Sequence, residues 1–193
     1  LYFASQSATY QEKQSASIIA AALDLRRDVF TADISHSLRG GASALRAAMD
    51  AVNAGAARNV LVIASDCRIP PPNSAQELLL GDGAAALLIG SDGPLAAIEN
   101  RFTIASDFLD TWKRDRGDRY MKSWEDRFII DKGYSAHLKE AVYGLLKGAG
   151  IGPKDITKAA FHGPDENSHR GMGSKLGLEL PQVEPPLFDV VGN

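Results

Sequence analysis

Apolar and polar positions alternate along this chain in two different periods. Leu1 to Ala4 is wholly apolar and reads as the end of a buried strand. Between Gln14 and Leu25, Ile18, Ile19, Ala22 and Leu23 fall at helical spacing. Val29 to Ile34 alternates loosely and predicts a strand. The next helix runs from Gly41 to Ala54, with Leu45, Ala48, Met49 and Val52 on one face and Gly55 placed as its stop. Its small residues, Ala42, Ala44, Ala47 and Ala48, permit close packing. Val60 to Ala64 is a short apolar run, the signature of a strand covered on both faces. After the Pro70-Pro71-Pro72-Asn73 loop comes a helical turn at Ala75 to Leu80. Gly81-Asp82-Gly83 then feeds a second apolar strand that ends at Gly90. Strands alternating with helices predict an α/β architecture around a parallel or mixed sheet.

The pattern breaks at Ser91-Asp92-Gly93-Pro94. Ala96 to Ala105 predicts a strand that opens a second section. Residues 107–132 then hold seven basic and seven acidic side chains, with Trp112 and Trp124 among them. Two readings stand. One is a solvated, salt-bridged excursion, whose exposed pairs contribute roughly 0–1 kcal/mol each. The other is a cap over a pocket, with the tryptophans on its inner face. Tyr134 to Gly148 is amphipathic through Leu138, Val142, Leu145 and Leu146, and Gly150 and Pro153 end it. Ile156 to Phe161 predicts a short strand, and His162 stands at its C-terminal end, where α/β folds place chemistry.

Composition narrows the function classes. The 193 residues are 45% apolar and 23% charged, ordinary for a soluble globular chain, and the net charge of −3 gives no footprint for nucleic acid or anionic membrane. No apolar stretch approaches the roughly 20 residues a spanning helix needs, and no signal peptide is visible. The single cysteine, Cys67, excludes an internal disulfide framework and fits a reducing, cytoplasmic compartment. The chain starts at Leu-Tyr-Phe-Ala, as if in mid-strand, and stops at Val-Val-Gly-Asn, as if in mid-loop. It reads as a fragment lacking both termini.

The candidate chemistry centres on residues 33–41, Asp-Ile-Ser-His-Ser-Leu-Arg-Gly-Gly, between a strand and a helix. Such a junction can present a nucleophile at a helix N-terminus, where free N–H groups and the dipole stabilise negative charge. His36 and Ser37 could serve as base and nucleophile. The favoured reading is the structural one, in which Ser37 assists the helix start while His36 faces the sheet or solvent. Cys67 reads as a small buried hydrophobe rather than a relocated nucleophile. His137 and His169 fall on helical segments with polar neighbours and are expected to be exposed. Four scattered histidines and one cysteine lack metal-ligand spacing. Gly81-Asp82-Gly83 resembles a phosphate cradle, but it precedes a strand, which favours a structural turn.

Three blocks resemble the thiolase superfamily, in the branch of the hydroxymethylglutaryl-CoA synthases and third-type β-ketoacyl carrier-protein synthases. They are the strand-elbow-helix-strand of residues 29–66 followed by Gly81-Asp82-Gly83-Ala84, then Phe161-His162-Gly163-Pro164 with Leu176-Gly177-Leu178, and finally Gly192-Asn193. Asp110-Thr111-Trp112 and Gly133-Tyr134-Ser135 lean toward the synthases of hydroxymethylglutaryl-CoA. The resemblance implies a five-layered αβαβα fold of two similar halves. Residues 1–95 would be the later part of the first half. Residues 96–193 would be the early part of the second, with the charged cap at 107–132. It implies a catalytic His162 and Asn193, which bind or polarise a thioester. The family's nucleophilic cysteine falls at Leu38, and its general acid/base glutamate at Gln6, so both positions are vacated. Ser37 and Trp112 become substrate-contacting positions. The substrate would be an acyl-CoA or acyl-carrier-protein thioester, with no further cofactor and no metal. A homodimer is implied, or a complex with a thiolase-like or small acyl-CoA-binding partner. Three readings remain open: an acyltransferase-family enzyme of lipid metabolism that has changed reaction, a non-catalytic subunit, and a synthase using residues the alignment does not reveal.

Overall fold

Four strands and two helices account for residues 1–68 and 82–97, the first of two compact units. The structure, a computed structural model, describes residues 1–10, 12–113 and 118–192. Strands β1 (Tyr2–Ala4), β2 (Ala32–Ile34), β3 (Asn59–Cys67) and β4 (Asp82–Gly90) form one sheet in the order β2-β1-β3-β4. β1 pairs in parallel with β2 and β3, and β3 pairs antiparallel with β4. Helices α1 (Ser15–Ala22) and α2 (Gly40–Asn53) connect the parallel strands, as a crossover requires.

The strand period of two assigns each face its helix. Ala4, Val60 and Val62 form one core with Ala44 and Ala48 of α2. Leu1 and Phe3 form another with Ala16 and Ala20 of α1, and Leu61 and Ile63 join it. Small residues set how close α2 comes. A Cβ on Gly40 would already touch Ala4, 3.4 Å away, and one on Gly41 would press Ala64 at 3.3 Å. The start of α1 is capped from β2, because the Asp33 carboxylate accepts from Ser15 N at 2.6 Å and Ala16 N at 2.7 Å.

One strand differs from the sequence expectation. β4 reads as buried on both faces, yet Leu87 is 52% and Leu88 70% exposed. An apolar run reports that two faces want cover, not that cover is found. Ile89 of β4 packs, partly buried, against the α2-side core.

The second unit comprises residues 69–81 and 98–193. It contains α3 (Ala75–Leu79) and a ribbon of β5 (Thr111–Trp112) and β6 (Lys122–Ser123). A continuous helical stretch follows: α4 (Asp126–Phe128), a π-helical turn (Ile129–Ser135) and α5 (Ala136–Ala149). Gly150 ends it in the left-handed conformation at φ +70°. α6 (Glu166–Lys175) is capped by Asp165 and buries Met172, with Leu176 buried just past its end. α7 (Phe188–Val191) closes the described chain.

Two predicted strands are absent from this unit. Residues 96–105 form no strand: Phe102 instead lies against Gly144 of α5, which leaves no room there for a side chain. Of 156–161, only Ala159 finds a pairing partner, Val183. Strand character needs a neighbouring backbone to complete it, and local pattern does not supply one.

Candidate active site: the elbow and the His162 loop

The junction predicted at residues 33–41 is a built elbow. Leaving β2, the chain turns at His36, whose φ of +65° is unusual for a non-glycine residue. Ser35 Oγ and His36 Nδ1 lie 2.7 Å apart, so the partner of His36 is Ser35 and not Ser37. Ser37 sits beneath the helix start: its carbonyl accepts from Gly40 N at 2.8 Å and its Oγ from Arg39 N at 3.2 Å. Leu38 occupies the tip, 57% exposed.

The loop after β1 is tied to this elbow. Gln6 Nε2 donates to the Ser37 carbonyl at 2.8 Å. The loop itself is gathered around one carboxylate oxygen. Asp66 Oδ1 accepts from Ser5 Oγ (3.1 Å), Gln6 N (2.7 Å), Ser7 N (3.0 Å) and Ser7 Oγ (2.8 Å). Cys67 N closes the knot by donating to Ser7 Oγ at 2.8 Å. The structure therefore brings Gln6, Ser37 and Leu38 together. Asp66 and Ser35 were missed in the sequence. The one available signal was the run of small polar residues directly after a strand.

Cys67 is exposed, not buried as expected, because it faces Asp82 at the terminal pair of the β3–β4 ladder. The hydrogen bond to Asp82 and that carboxylate's charge push its thiol pKa up. A thiol held protonated is a poor nucleophile.

In the second unit, His162 stands exposed on the loop between Phe161 and α6. The Tyr134 ring meets it edge-on, with centroids 6.3 Å apart at 86°. Asp165 accepts from Ser168 N at 2.8 Å and Ser168 Oγ at 2.6 Å. His169, expected to be exposed, is buried and stacked on Phe161 at 4.5 Å, since its turn of α6 faces the unit's interior. Its Cβ would lie 2.6 Å from a Cβ on Gly163, so glycine is what lets the His162 loop lie against α6. His137 is half-buried against Phe108.

Within the charged stretch, Trp112 is half-buried and packs against Trp124, with centroids 5.9 Å apart. Trp124, with Phe108, Leu109 and Phe128, lines an open cavity of about 460 Å³ rimmed by Asp107 and Glu125. Charged side chains of the same stretch pair at the surface, as Lys122 does with Asp118 at 2.9 Å. Residues 114–117 of the stretch and Asn193 lie outside the described residues. Among the described residues, no cluster of three or more His, Cys, Asp or Glu could hold a metal ion. None of their helices is long and apolar enough to cross a membrane.

The mixed sheet, with helices on both faces and an elbow at the start of α2, matches the thiolase-like α/β fold. Solved structures carry the same fold. A 3-oxoacyl-(acyl carrier protein) synthase III, FabH from Pseudomonas aeruginosa, superposes with a TM-score of 0.84 at 20% identity, over 100% of this chain and 62% of its own. MvaS in complex with 3-hydroxy-3-methylglutaryl coenzyme A superposes with a TM-score of 0.80 at 26% identity, over 91% of this chain and 44% of its own.

The chain's relatives in sequence and in structure lie in the thiolase-like superfamily, among the hydroxymethylglutaryl-CoA synthases and the 3-oxoacyl-[acyl-carrier-protein] synthases III. Residues 32–108 match the family model described as 3-Oxoacyl-[acyl-carrier-protein (ACP)] synthase III. The hydroxymethylglutaryl-CoA synthase of Aeropyrum pernix is 34% identical over 100% of the chain. The chain spans 54% of that relative's length.

Proposed function

We propose that the protein is a hydroxymethylglutaryl-CoA synthase-like acyl-CoA enzyme that works on a thioester without forming an acyl-enzyme. The elbow carries this reading. It has the backbone of a nucleophile-presenting turn, and its tip is Leu38, a side chain with no atom that can attack a carbonyl. Gln6, at the position the family gives to glutamate, is spent on tethering the elbow through Ser37. An amide there cannot exchange a proton near neutral pH.

What remains is a pair of donors. In this reading the His162 imidazole N–H and the Asn193 amide hydrogen-bond the thioester carbonyl oxygen. When a bond to the α-carbon breaks, its electron pair passes onto that oxygen as an enolate, which the two donors stabilise. In a decarboxylation the departing group is carbon dioxide. In a retro-aldol cleavage it is a ketone or aldehyde, released as the β-hydroxyl passes its proton to water. Water then reprotonates the α-carbon. Aldol-type addition is the same sequence reversed. No step needs a cofactor beyond the CoA thioester. Residues 1–95 and 96–193 act as parts of the two halves of the fold, in the cytoplasm.

The exposed Leu87 and Leu88 of β4 favour a second reading, a non-catalytic subunit. There the chain pairs with itself, an active thiolase-like paralogue or a small acyl-CoA-binding protein.

Intact-mass spectrometry after incubation with acetyl-CoA and acetoacetyl-CoA, with binding measured calorimetrically, tests the proposal. Binding without any covalent adduct is the expected result. A stable acetyl adduct on Ser37 or Cys67, lost when that residue is substituted, would overturn it. Binding with no turnover of β-hydroxyacyl or β-carboxyacyl thioesters would select the second reading.

A further inference from the structure

Tyr134 is a second polar group at the His162 site that neither the elbow nor the proposed donor pair uses. Its hydroxyl is enclosed and, among the described residues, is the buried side-chain polar atom with no hydrogen-bond partner. Leaving such a group unsatisfied costs about 1–3 kcal/mol. Phenylalanine would fill the same space without that cost. The hydroxyl thus contributes nothing to folding that the ring does not already supply.

The surroundings say what the hydroxyl could serve. The tyrosine ring meets the exposed His162 imidazole edge-on, 6.3 Å between centroids. Burial, and then the negative charge of Asp165, push its pKa up to about 12. It is therefore a neutral donor throughout the physiological range, suited to a carbonyl oxygen or enolate. His162 is its exposed neighbour, and an exposed side chain can change rotamer on the ps–ns timescale without unpacking a core.

We propose that the Tyr134 hydroxyl donates a hydrogen bond to the acyl-group oxygen of a ligand seated at His162, the ligand being an acyl thioester. This rests on the function proposed above and adds a specificity-determining residue to it. The carbonyl oxygen gains a donor, and the hydroxyl gains the partner it otherwise lacks. The CoA portion makes no contact with it.

Tyr134→Phe separates the possibilities, with acetoacetyl-CoA and free CoA as calorimetric probes and thermal unfolding measured in parallel. The variant should melt no lower than the parent. Its affinity for acetoacetyl-CoA should fall about tenfold, the loss of one neutral hydrogen bond. Its affinity for free CoA should not change. An unchanged affinity for acetoacetyl-CoA in a variant whose parent binds that ligand would overturn this inference alone. A lower melting temperature would also overturn it, by showing that the hydroxyl is a structural group. If the parent binds acetoacetyl-CoA no more tightly than free CoA, the thioester reading itself fails, and this inference with it.

Discussion

Asp66→Ala should destabilise the first unit and release the loop that holds Gln6. A single oxygen, Oδ1, accepts four hydrogen bonds between 2.7 and 3.1 Å. Three of the donors, Ser5 Oγ, Ser7 N and Ser7 Oγ, are partly buried, and the Gln6 amide is exposed. A buried hydrogen bond is worth about 1 kcal/mol net, and one to a charged acceptor somewhat more. Four donors crowded on one oxygen cannot each reach full strength, and the exposed one recovers water. The sum is therefore about 2–3 kcal/mol. For a chain of this length, about 2–4 °C of melting temperature accompanies each kcal/mol, which gives a fall of about 4–12 °C. Thermal unfolding followed by circular dichroism reads the stability. Amide hydrogen exchange at Gln6 and Ser7 reads the loop, and protection there should drop well below that of the β3 amides. Asp66→Asn, which keeps an acceptor oxygen but not the charge, should fall between the two. A change in melting temperature below about 1 °C, with the Gln6 amide still protected, would refute the idea that this carboxylate organises the loop.

Three further outcomes follow from the same structure. Leu38→Cys places a thiol at the elbow, beside the start of α2, and its iodoacetamide reactivity should exceed that of a free thiol and of Cys67, whose pKa is raised; reactivity no higher would place the elbow register in error. Tyr134, with its pKa raised to about 12, holds its proton in the folded state after an unfolded tyrosine has lost it near pH 10, so its ionisation leaves stability unchanged below pH 10 and lowers it as pH rises toward 12; ultraviolet titration should show one tyrosine ionising late, and that signal should vanish in Tyr134→Phe. Met172→Ala removes a fully buried side chain of α6 and should cost about 2–5 kcal/mol, read by urea denaturation.

The order of elements in the first unit was legible in the sequence because period and punctuation are local. Val60 to Ala64 announces a strand, Leu45, Ala48, Met49 and Val52 a helix face, and Gly55 its end, each within a few residues. The elbow and its leucine were legible for the same reason, since strand, turn and helix start are contiguous. What the elbow is fastened to was not. Asp66 reaches Ser7 across 59 residues, a meeting set by the β1–β3 register rather than by any motif. The apolar strand at 84–89 and the strand expected at 96–105 show the complementary case, because pattern states a demand for partners and only packing decides whether β3, α5 or nothing meets it. The same holds for polar groups. His169 looked exposed by its neighbours and is buried by the orientation of α6, while His162 looked like one histidine at a strand end and stands against Tyr134. Sequence by itself determined the fold class, the elbow and the residue types at its tip. Tertiary structure alone decided which distant polar groups converge, because burial and hydrogen-bond partnership are properties of positions in space and not of spacing along the chain.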